Sequence, residues 1–338
     1  MDKVWELAKK NRYRLFDIRK SGISALIKIT SSCRSRCRYC LSWQTTQDIL
    51  SSDLVVSALK DIRKFAAHQI TLSGGEPTTH PDFSRIVEEC AKAEIHVTVI
   101  TDGQYSHESS WISAVDEFTF SIDTHSPDIY KLIRGIDGLS KALDNLSRAV
   151  KAGVTVSVNI VLSNQAIRGI ENTVDLLVNK GVNRIHFLEL ETHLAVGDGL
   201  LPSNDDLSKF RGNILPALES KYSGIILAGK VLTLPENIRC NSNSIPCLIP
   251  WMHVTIRPNG NIYPCCRIGD DTPKGNNETF CLGNVKENSI SDIWQSRNRK
   301  HVQTTIATSP PLPCRKCGIG PLFQNEEEVW NQIETIRM

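Results

Sequence analysis

The sequence predicts an α/β fold: a partial (β/α)6 TIM-like barrel on a curved parallel sheet, followed by a small α+β segment. Three observations predict it. From about residue 25 to 200, short β-rich runs alternate with amphipathic helical stretches. One face of most runs is polar, whereas strands buried on both faces read as continuous Val, Ile and Leu. After residue 240 the chain becomes loop-rich and cysteine-dense. The 338 residues fit one large domain or two unequal ones, given roughly 100–200 residues per domain.

Residues 1–24 are expected to form a helical extension ahead of a barrel spanning 25–200. The β-rich runs are 25–30, 69–73, 95–101, 118–122, 154–162 and 184–190. Between the first two, residues 52–65 place Leu54, Val55, Ala58, Leu59 and Ile62 on one helical stripe. Pro81-Asp82 opens the next helix, and 164–180 reads as another. Six strand–helix units in series imply a parallel sheet. They are too few for a closed eight-stranded barrel, which leaves an open barrel or a doubly wound sheet.

The polar faces help to decide. Lys28 and Thr30 alternate with Ile27 and Ile29, and Thr71 and Ser73 with Ile70 and Leu72. Thr119, Ser121 and Asp123 alternate with Phe118, Phe120 and Ile122, and Ser157 and Asn159 with Val156, Val158 and Ile160. Period two puts the polar members on one side. They either bond to one another in a packed sheet or line a hydrated cavity, and the cavity is the reading favoured here. Residues 201–239 are expected as a helical linker, 240–318 as the small domain and 319–338 as a terminal helix or tail. Pro258-Asn259-Gly260 signals a hairpin between 251–257 and 261–264, and Ser289 caps a short helix running to Arg299.

Composition sets further bounds. Apolar residues make up 40% and charged residues 22%, which excludes a disordered or membrane-embedded chain. The net charge of +2 gives no reason to expect nucleic acid as a partner. No apolar run approaches the ~18 residues of a membrane span, so no membrane partner is expected. The first residues lack the apolar core of a signal peptide, and a cytoplasmic location is expected.

Eleven cysteines are the anomaly, since an odd count without a secretion signal argues for metal or redox chemistry. Cys90 stands alone and reads as a packing residue. Cys33, Cys37 and Cys40 follow the first strand in the spacing C-x3-C-x2-C. Three thiolates on one loop suit a four-iron cluster with one iron left open, because a closed cubane takes four. The segment Cys33-Arg34-Ser35-Arg36-Cys37-Arg38-Tyr39-Cys40 resembles the signature of radical S-adenosylmethionine enzymes, including the aromatic Tyr39 before the last cysteine. A second match, Ser73-Gly74-Gly75-Glu76-Pro77, ends the second strand. Thr101-Asp102-Gly103 is similar to the family's next loop, with Asp102 where Asn is more usual, and Ser121-Ile122-Asp123 and Arg134-Gly135 extend the likeness.

This resemblance implies an open-site [4Fe-4S] cluster on Cys33, Cys37 and Cys40, with S-adenosylmethionine chelated to it. Gly74, Gly75, Glu76 and Pro77 would then take the cofactor's amino group, with Tyr39 also at the cofactor site. Ser121, Asp123 and Asn159 would face its ribose, and Arg134 its carboxylate. The family splits the cofactor to a 5′-deoxyadenosyl radical that abstracts hydrogen from a substrate. An electron donor such as flavodoxin or ferredoxin is implied as a partner. Arg34, Arg36 and Arg38 either offset cluster charge, dock such an acidic donor, or form a solvated basic loop.

Cys247, Cys265, Cys314 and Cys317 are spaced as in the auxiliary-cluster domains called SPASM and Twitch, with Cys240, Cys266 and Cys281 nearby. The resemblance implies one auxiliary [4Fe-4S] cluster, because no cysteine follows Cys317. Four thiolates can instead hold zinc, and Cys240 can replace Cys247. By similarity to sulfatase-maturing enzymes, Cys266 would face the substrate and act as a catalytic thiol. Its alternative is an inert neighbour of the ligand Cys265.

The first functional expectation is oxidation or epimerisation of a small polar metabolite, such as a sugar or aminocyclitol. The alternative is maturation of a ribosomally made peptide by crosslinking, epimerisation or residue oxidation. The 32 residues ahead of Cys33 are too few for a fused peptide-binding module, which favours the metabolite at this point. A non-catalytic iron–sulfur carrier is the third possibility. Glu189, Glu191 and His193, alternating at the end of the sixth run, are expected to bind substrate or to form a surface salt-bridge patch.

Overall fold

The computed structural model describes residues 24–44, 46–64, 69–106, 110–190, 199–228, 249–269 and 278–308. Its strands form one ten-stranded sheet in the order β10-β9-β8-β1-β2-β3-β4-β5-β6-β7. The first six are β1 (Ser24–Thr30), β2 (Gln69–Gly74), β3 (His96–Thr101), β4 (Glu117–Ser121), β5 (Thr155–Leu162) and β6 (Arg184–Glu189). Each pairs in parallel with the next, so the partial barrel expected from the repeat is present.

Period two sets the faces. In β1, Ala25, Ile27 and Ile29 are buried on the outer side, against the helices, while Leu26 and Lys28 are half-buried. Helices α1 (Ser52–Lys64), α2 (Phe83–Lys92), α3 (Pro127–Arg134) and α4 (Leu139–Lys151) each contribute buried residues to the core beside that face. Helix α1 buries Val55, Ala58, Leu59 and Ile62, the stripe read from the sequence. Helix α2 buries Phe83, Ile86, Val87 and Cys90, so Cys90 packs in the core. Ser126 caps α3, with its hydroxyl accepting the Ile129 N–H, and Gly135 ends the helix in the left-handed region at φ 66°.

The structure refines several boundaries. The single helix expected over 164–180 is two, α5 (Asn164–Ile167) and α6 (Ile170–Asn179), with Gly169 between them at a place where a Cβ would come within 2.8 Å of the His125 ring. The stretch 204–221 is helical throughout, as α7 (Asn204–Lys209), a π-helical turn over Phe210–Ile214 and α8 (Leu215–Lys221). A Ser203–Asp206 capping box starts it. A seventh parallel strand, β7 (Ile226–Ala228), pairs with β6 within the stretch expected as a helical linker.

The carboxyl-terminal segment is joined to the barrel edge. After a helical turn α9 (Ile249–Met252), β8 (His253–Ile256) lies parallel to β1, and the Ser24 hydroxyl meets His253 Nδ1 at 2.8 Å. Strands β9 (Asn261–Tyr263) and β10 (Gly283–Asn284) complete the antiparallel part. Gly260, at φ 93°, turns the hairpin as the Asn-Gly signal foretold. The helix expected from Ser289 to Arg299 breaks at Ser296 into α10 (Ile290–Gln295) and α11 (Arg297–Thr308). The expected extension 1–24 lies outside the described residues apart from Ser24, which begins β1, and the tail 319–338 lies outside them entirely.

One buried contact pins this segment to the barrel. The Asp61 carboxylate on α1 accepts the Ile290 N–H at 3.0 Å, at the start of α10. Asp61→Ala leaves that donor buried and unpaired, with an expected loss of about 1–3 kcal/mol in urea-unfolding free energy. Lys64→Ala removes only the exposed partner of Asp61, 3.0 Å away, and is expected to cost under about 1 kcal/mol.

Candidate functional site

A cavity opens at the carboxyl ends of β1 to β6, where parallel α/β architectures place ligands. Cys33, Cys37 and Cys40 line one side, Gly74, Gly75 and Glu76 the floor, and Ser121, Asn159 and Leu188 the far wall. The three thiols and the glycine loop are therefore brought together, as the sequence led us to expect. Among the described residues, no three His, Cys, Asp or Glu side chains close on a single metal ion. The thiols line a shared space, the arrangement a multi-iron cluster requires.

The cysteine loop is held from three sides. Arg36 and Arg38 donate their backbone N–H groups to the carbonyls of Arg134 and Ile133, each at 2.9 Å, so the end of α3 grips the loop. The Ser35 hydroxyl donates to Asp102 after β3 at 2.6 Å. Below, Gly75 donates its N–H to the Thr30 carbonyl at 2.7 Å and Glu76 to the Ser32 carbonyl at 2.8 Å. The glycines permit that approach. A Cβ on Gly75 would lie 2.4 Å from the carbonyl oxygens of both Ser31 and Ser32.

Glu76 acts by fixing loops. One carboxylate oxygen accepts from the Thr78 N–H at 3.2 Å and from the hydroxyls of Thr78 and Thr101 at 2.6 and 2.8 Å. The other accepts the Asp102 N–H at 2.7 Å. Burial, with the Asp102 carboxylate alongside, pushes Glu76 up to about 8 despite these donors. A raised carboxyl favours the protonated fold. Its contribution is complete below the ordinary range near 4.5 and is lost as pH rises through about 8. Glu76→Gln is therefore expected to flatten the fall in unfolding free energy between pH 5 and 8, measured by urea titration against the parent.

Arg134 and Asp123 form a buried pair, Nε to Oδ2 at 2.8 Å. Asp123 also accepts the Tyr39 hydroxyl at 2.8 Å and, on its other oxygen, the Val161 N–H at 2.9 Å. Both oxygens are thus engaged, and Asp123 does not line the cavity, unlike Ser121 and Asn159. Asp123 thus joins the cysteine loop, the end of α3 and β5 through protein contacts. Pro77 likewise stands behind the lining and begins the turn after Glu76. Burial raises the Cys33 thiol, with Asp102 and Glu76 adding to it. Burial also raises Cys37 to about 11, against the pull of Arg134. Thiolates here need a cation beside them, and iron meets that need.

Other expectations are corrected. In β6 the parity aims Leu188 at the cavity and turns Glu189 outward, where it pairs with Arg211 of the π-helical turn. Glu189 therefore belongs to a salt bridge rather than the cavity, while Glu191 and His193 lie outside the described residues. The polar strand faces divide by depth. Ser73, Ser121 and Asn159 reach the cavity, whereas Thr119, Ser157, Glu117 and Arg184 bond to one another beneath it. Arg36 spans the carbonyls of Cys33 and Ser35 and lies over the Trp43 ring, so it braces the loop. Trp43, Val161 and Leu188 line the cavity unforeseen, although β5 and β6 parity marks the last two.

In the carboxyl-terminal segment, Cys265 is buried and its sulfur accepts the Ile268 N–H at 3.4 Å. Cys266 is exposed and does not line the cavity. The Cys281 thiol donates to the Gly283 carbonyl at 3.3 Å. Cys240, Cys247, Cys314 and Cys317 lie outside the described residues.

Residues 27–187 match the family model described as the Radical SAM superfamily, and 247–318 match SPASM, an iron–sulfur cluster-binding domain. The PqqA peptide cyclase of Streptomyces rochei is 24% identical over 305 residues, covering 86% of this chain and 80% of that protein. The probable GTP 3′,8-cyclase of Sulfurisphaera tokodaii is 27% identical over 171 residues, covering 48% of this chain and only 55% of its own length. Among solved structures, Streptococcus suis SuiB bound to S-adenosylmethionine aligns with TM-score 0.69 at 15% identity, covering 95% of this chain and 77% of SuiB. anSMEcpe with bound AdoMet and a Cp18Cys peptide aligns with TM-score 0.64 at 18% identity, covering 93% of this chain and 95% of that one. At such identities the structural likeness shows a shared fold.

Proposed function

We propose, from the premise that this chain belongs to the radical SAM superfamily and carries a C-terminal SPASM iron–sulfur domain, that it is a peptide-modifying enzyme. The observation that carries the radical chemistry is the meeting of Cys33, Cys37 and Cys40 with the Gly74-Gly75-Glu76 loop in one cavity. The peptide substrate rests on the PqqA peptide cyclase relative, which matches over 86% of this chain and through both domains. That relationship supports the peptide over the sugar or aminocyclitol expected from the sequence.

In this reading Cys33, Cys37 and Cys40 hold a [4Fe-4S] cluster, and Gly74 and Gly75 present backbone to the cofactor's amino group. When bound, the cluster and S-adenosylmethionine supply one-electron cleavage of the sulfonium and a hydrogen-abstracting radical. Ser121 and Asn159, which line the cavity, would offer hydroxyl and amide groups to the ribose. Arg134, also on the lining, would meet the cofactor carboxylate. Leu188 and Val161 add apolar surface to the wall that Ser121 and Asn159 make polar. Cys265 is the described candidate for holding the auxiliary cluster. Arg34 and Arg36, exposed beside the thiols, suit an acidic one-electron donor.

Anaerobic turnover of the iron-reconstituted chain tests the substrate class. The probes are a pool of Cα- and Cβ-deuterated peptides and, separately, deuterated sugars and aminocyclitols. Deuterium entering 5′-deoxyadenosine from the peptides alone is the expected result. Transfer from a sugar or aminocyclitol alone would return the substrate to the metabolite class.

A further inference from the structure

Arg134 meets the cysteine loop in a way that its role toward a cofactor carboxylate does not require. Arg134 is buried, at 5% exposure. Nε donates to Asp123, while Nη1 donates to Cys37 Sγ at 3.8 Å. The ion pair is therefore an oriented dipole with its positive end on the sulfur. Three things prevent it from turning. The Tyr39 hydroxyl holds the same Asp123 oxygen, the Tyr39 ring lies 5.6 Å from the guanidinium carbon, and the Val161 N–H anchors the other Asp123 oxygen. The backbone around Arg134 is fixed too, since its carbonyl accepts the Arg36 N–H. Thus the end of α3 presents charge to the same loop that it grips by main-chain bonds.

We propose that Arg134, clamped by Asp123, is a positioning residue that sets the reduction potential of the amino-terminal cluster through its hydrogen bond to the Cys37 sulfur. The inference rests on the reading that Cys33, Cys37 and Cys40 hold that cluster. Reduction by one electron adds negative charge to the cluster, and a cationic donor on a ligand sulfur favours the more negative state. The electron comes from the external one-electron donor, and no bond in the protein is made or broken. Being buried, the guanidinium acts with little screening by water or salt.

The sign of the effect separates this role from structural support. Arg134→Gln removes the positive end of the dipole, whereas Asp123→Asn removes the charge that offsets it and leaves Arg134 in place. Each variant is reconstituted anaerobically, assayed for iron, and titrated with dithionite under EPR. The signal that responds to added S-adenosylmethionine identifies the amino-terminal cluster. Arg134→Gln is expected to lower the midpoint, cutting the reduced-to-oxidised ratio about tenfold at the parent midpoint, or ~59 mV for one electron. Asp123→Asn is expected to move it upward. A midpoint unchanged in either iron-loaded variant, or lowered in Asp123→Asn, overturns the proposal. Should Arg134→Gln fail to hold iron, the upward shift in Asp123→Asn still decides it. Parent protein with no cysteine-dependent iron would instead overturn the reading beneath.

Discussion

Alanine at Cys37 is expected to abolish reductive cleavage of S-adenosylmethionine and to lower the reconstituted iron content by roughly four atoms per chain, one cubane's worth. The physical reason is the absence of a substitute. Three thiols line the cavity, and the other described cysteines, Cys90, Cys265, Cys266 and Cys281, lie elsewhere. Losing one ligand leaves two on a loop whose backbone is already fixed by the end of α3 and by Asp102, so it cannot close over a smaller centre. Cys90→Ala is the matched control. It removes a fully buried thiol from α2 and the core, at a cost of about 1–2 kcal/mol in stability, and should leave iron and cleavage intact. Iron assay and 5′-deoxyadenosine quantification after dithionite check both variants. Cleavage surviving in Cys37→Ala would remove the cysteine loop from the mechanism.

The parts of this site that the sequence made legible share a property: they are written in consecutive residues. The C-x3-C-x2-C loop and Ser73-Gly74-Gly75-Glu76-Pro77 each sit at one strand end, and period two told which strand face was polar. What stayed hidden depends on contacts between segments far apart in the chain. The resemblance implied a ribose contact for Asp123, which lies two residues beyond the end of β4. There it is claimed by Arg134 and Tyr39, residues 11 and 84 positions away. Glu189 carried two readings, a substrate contact or a salt bridge, and the choice between inner and outer face rests on Leu188 and on Phe187 packing with Phe210. The edge pairing of β8 with β1 is equally non-local, and β7 is too short for periodicity to reveal.

Gly75→Ala is expected to be strongly damaging, and its cause can be separated from backbone strain, since Gly75 carries no left-handed φ. The added Cβ would stand 2.4 Å from the carbonyl oxygens of Ser31 and Ser32, backbone atoms that belong to the root of the cysteine loop. The Ser32 carbonyl is held by the Glu76 N–H, and the Thr30 carbonyl on the same root by that of Gly75. Relief requires the two loops to part, which breaks both bonds and shifts Cys33 relative to the floor of the cavity. A stability loss of about 2–4 kcal/mol follows from overpacking plus two lost hydrogen bonds. Affinity for S-adenosylmethionine, measured by equilibrium dialysis of the iron-loaded protein, is expected to fall at least about tenfold, a modest 1.4 kcal/mol. Gly153→Ala provides the contrast, since Gly153 sits at φ 79° with nothing within 4 Å of a Cβ. That change costs only the left-handed backbone penalty, about 1–2 kcal/mol, and should leave cofactor affinity at the parent value. Equal losses of affinity in the two variants would mean that general destabilisation, rather than the contact of the glycine loop with the cysteine loop, controls the site.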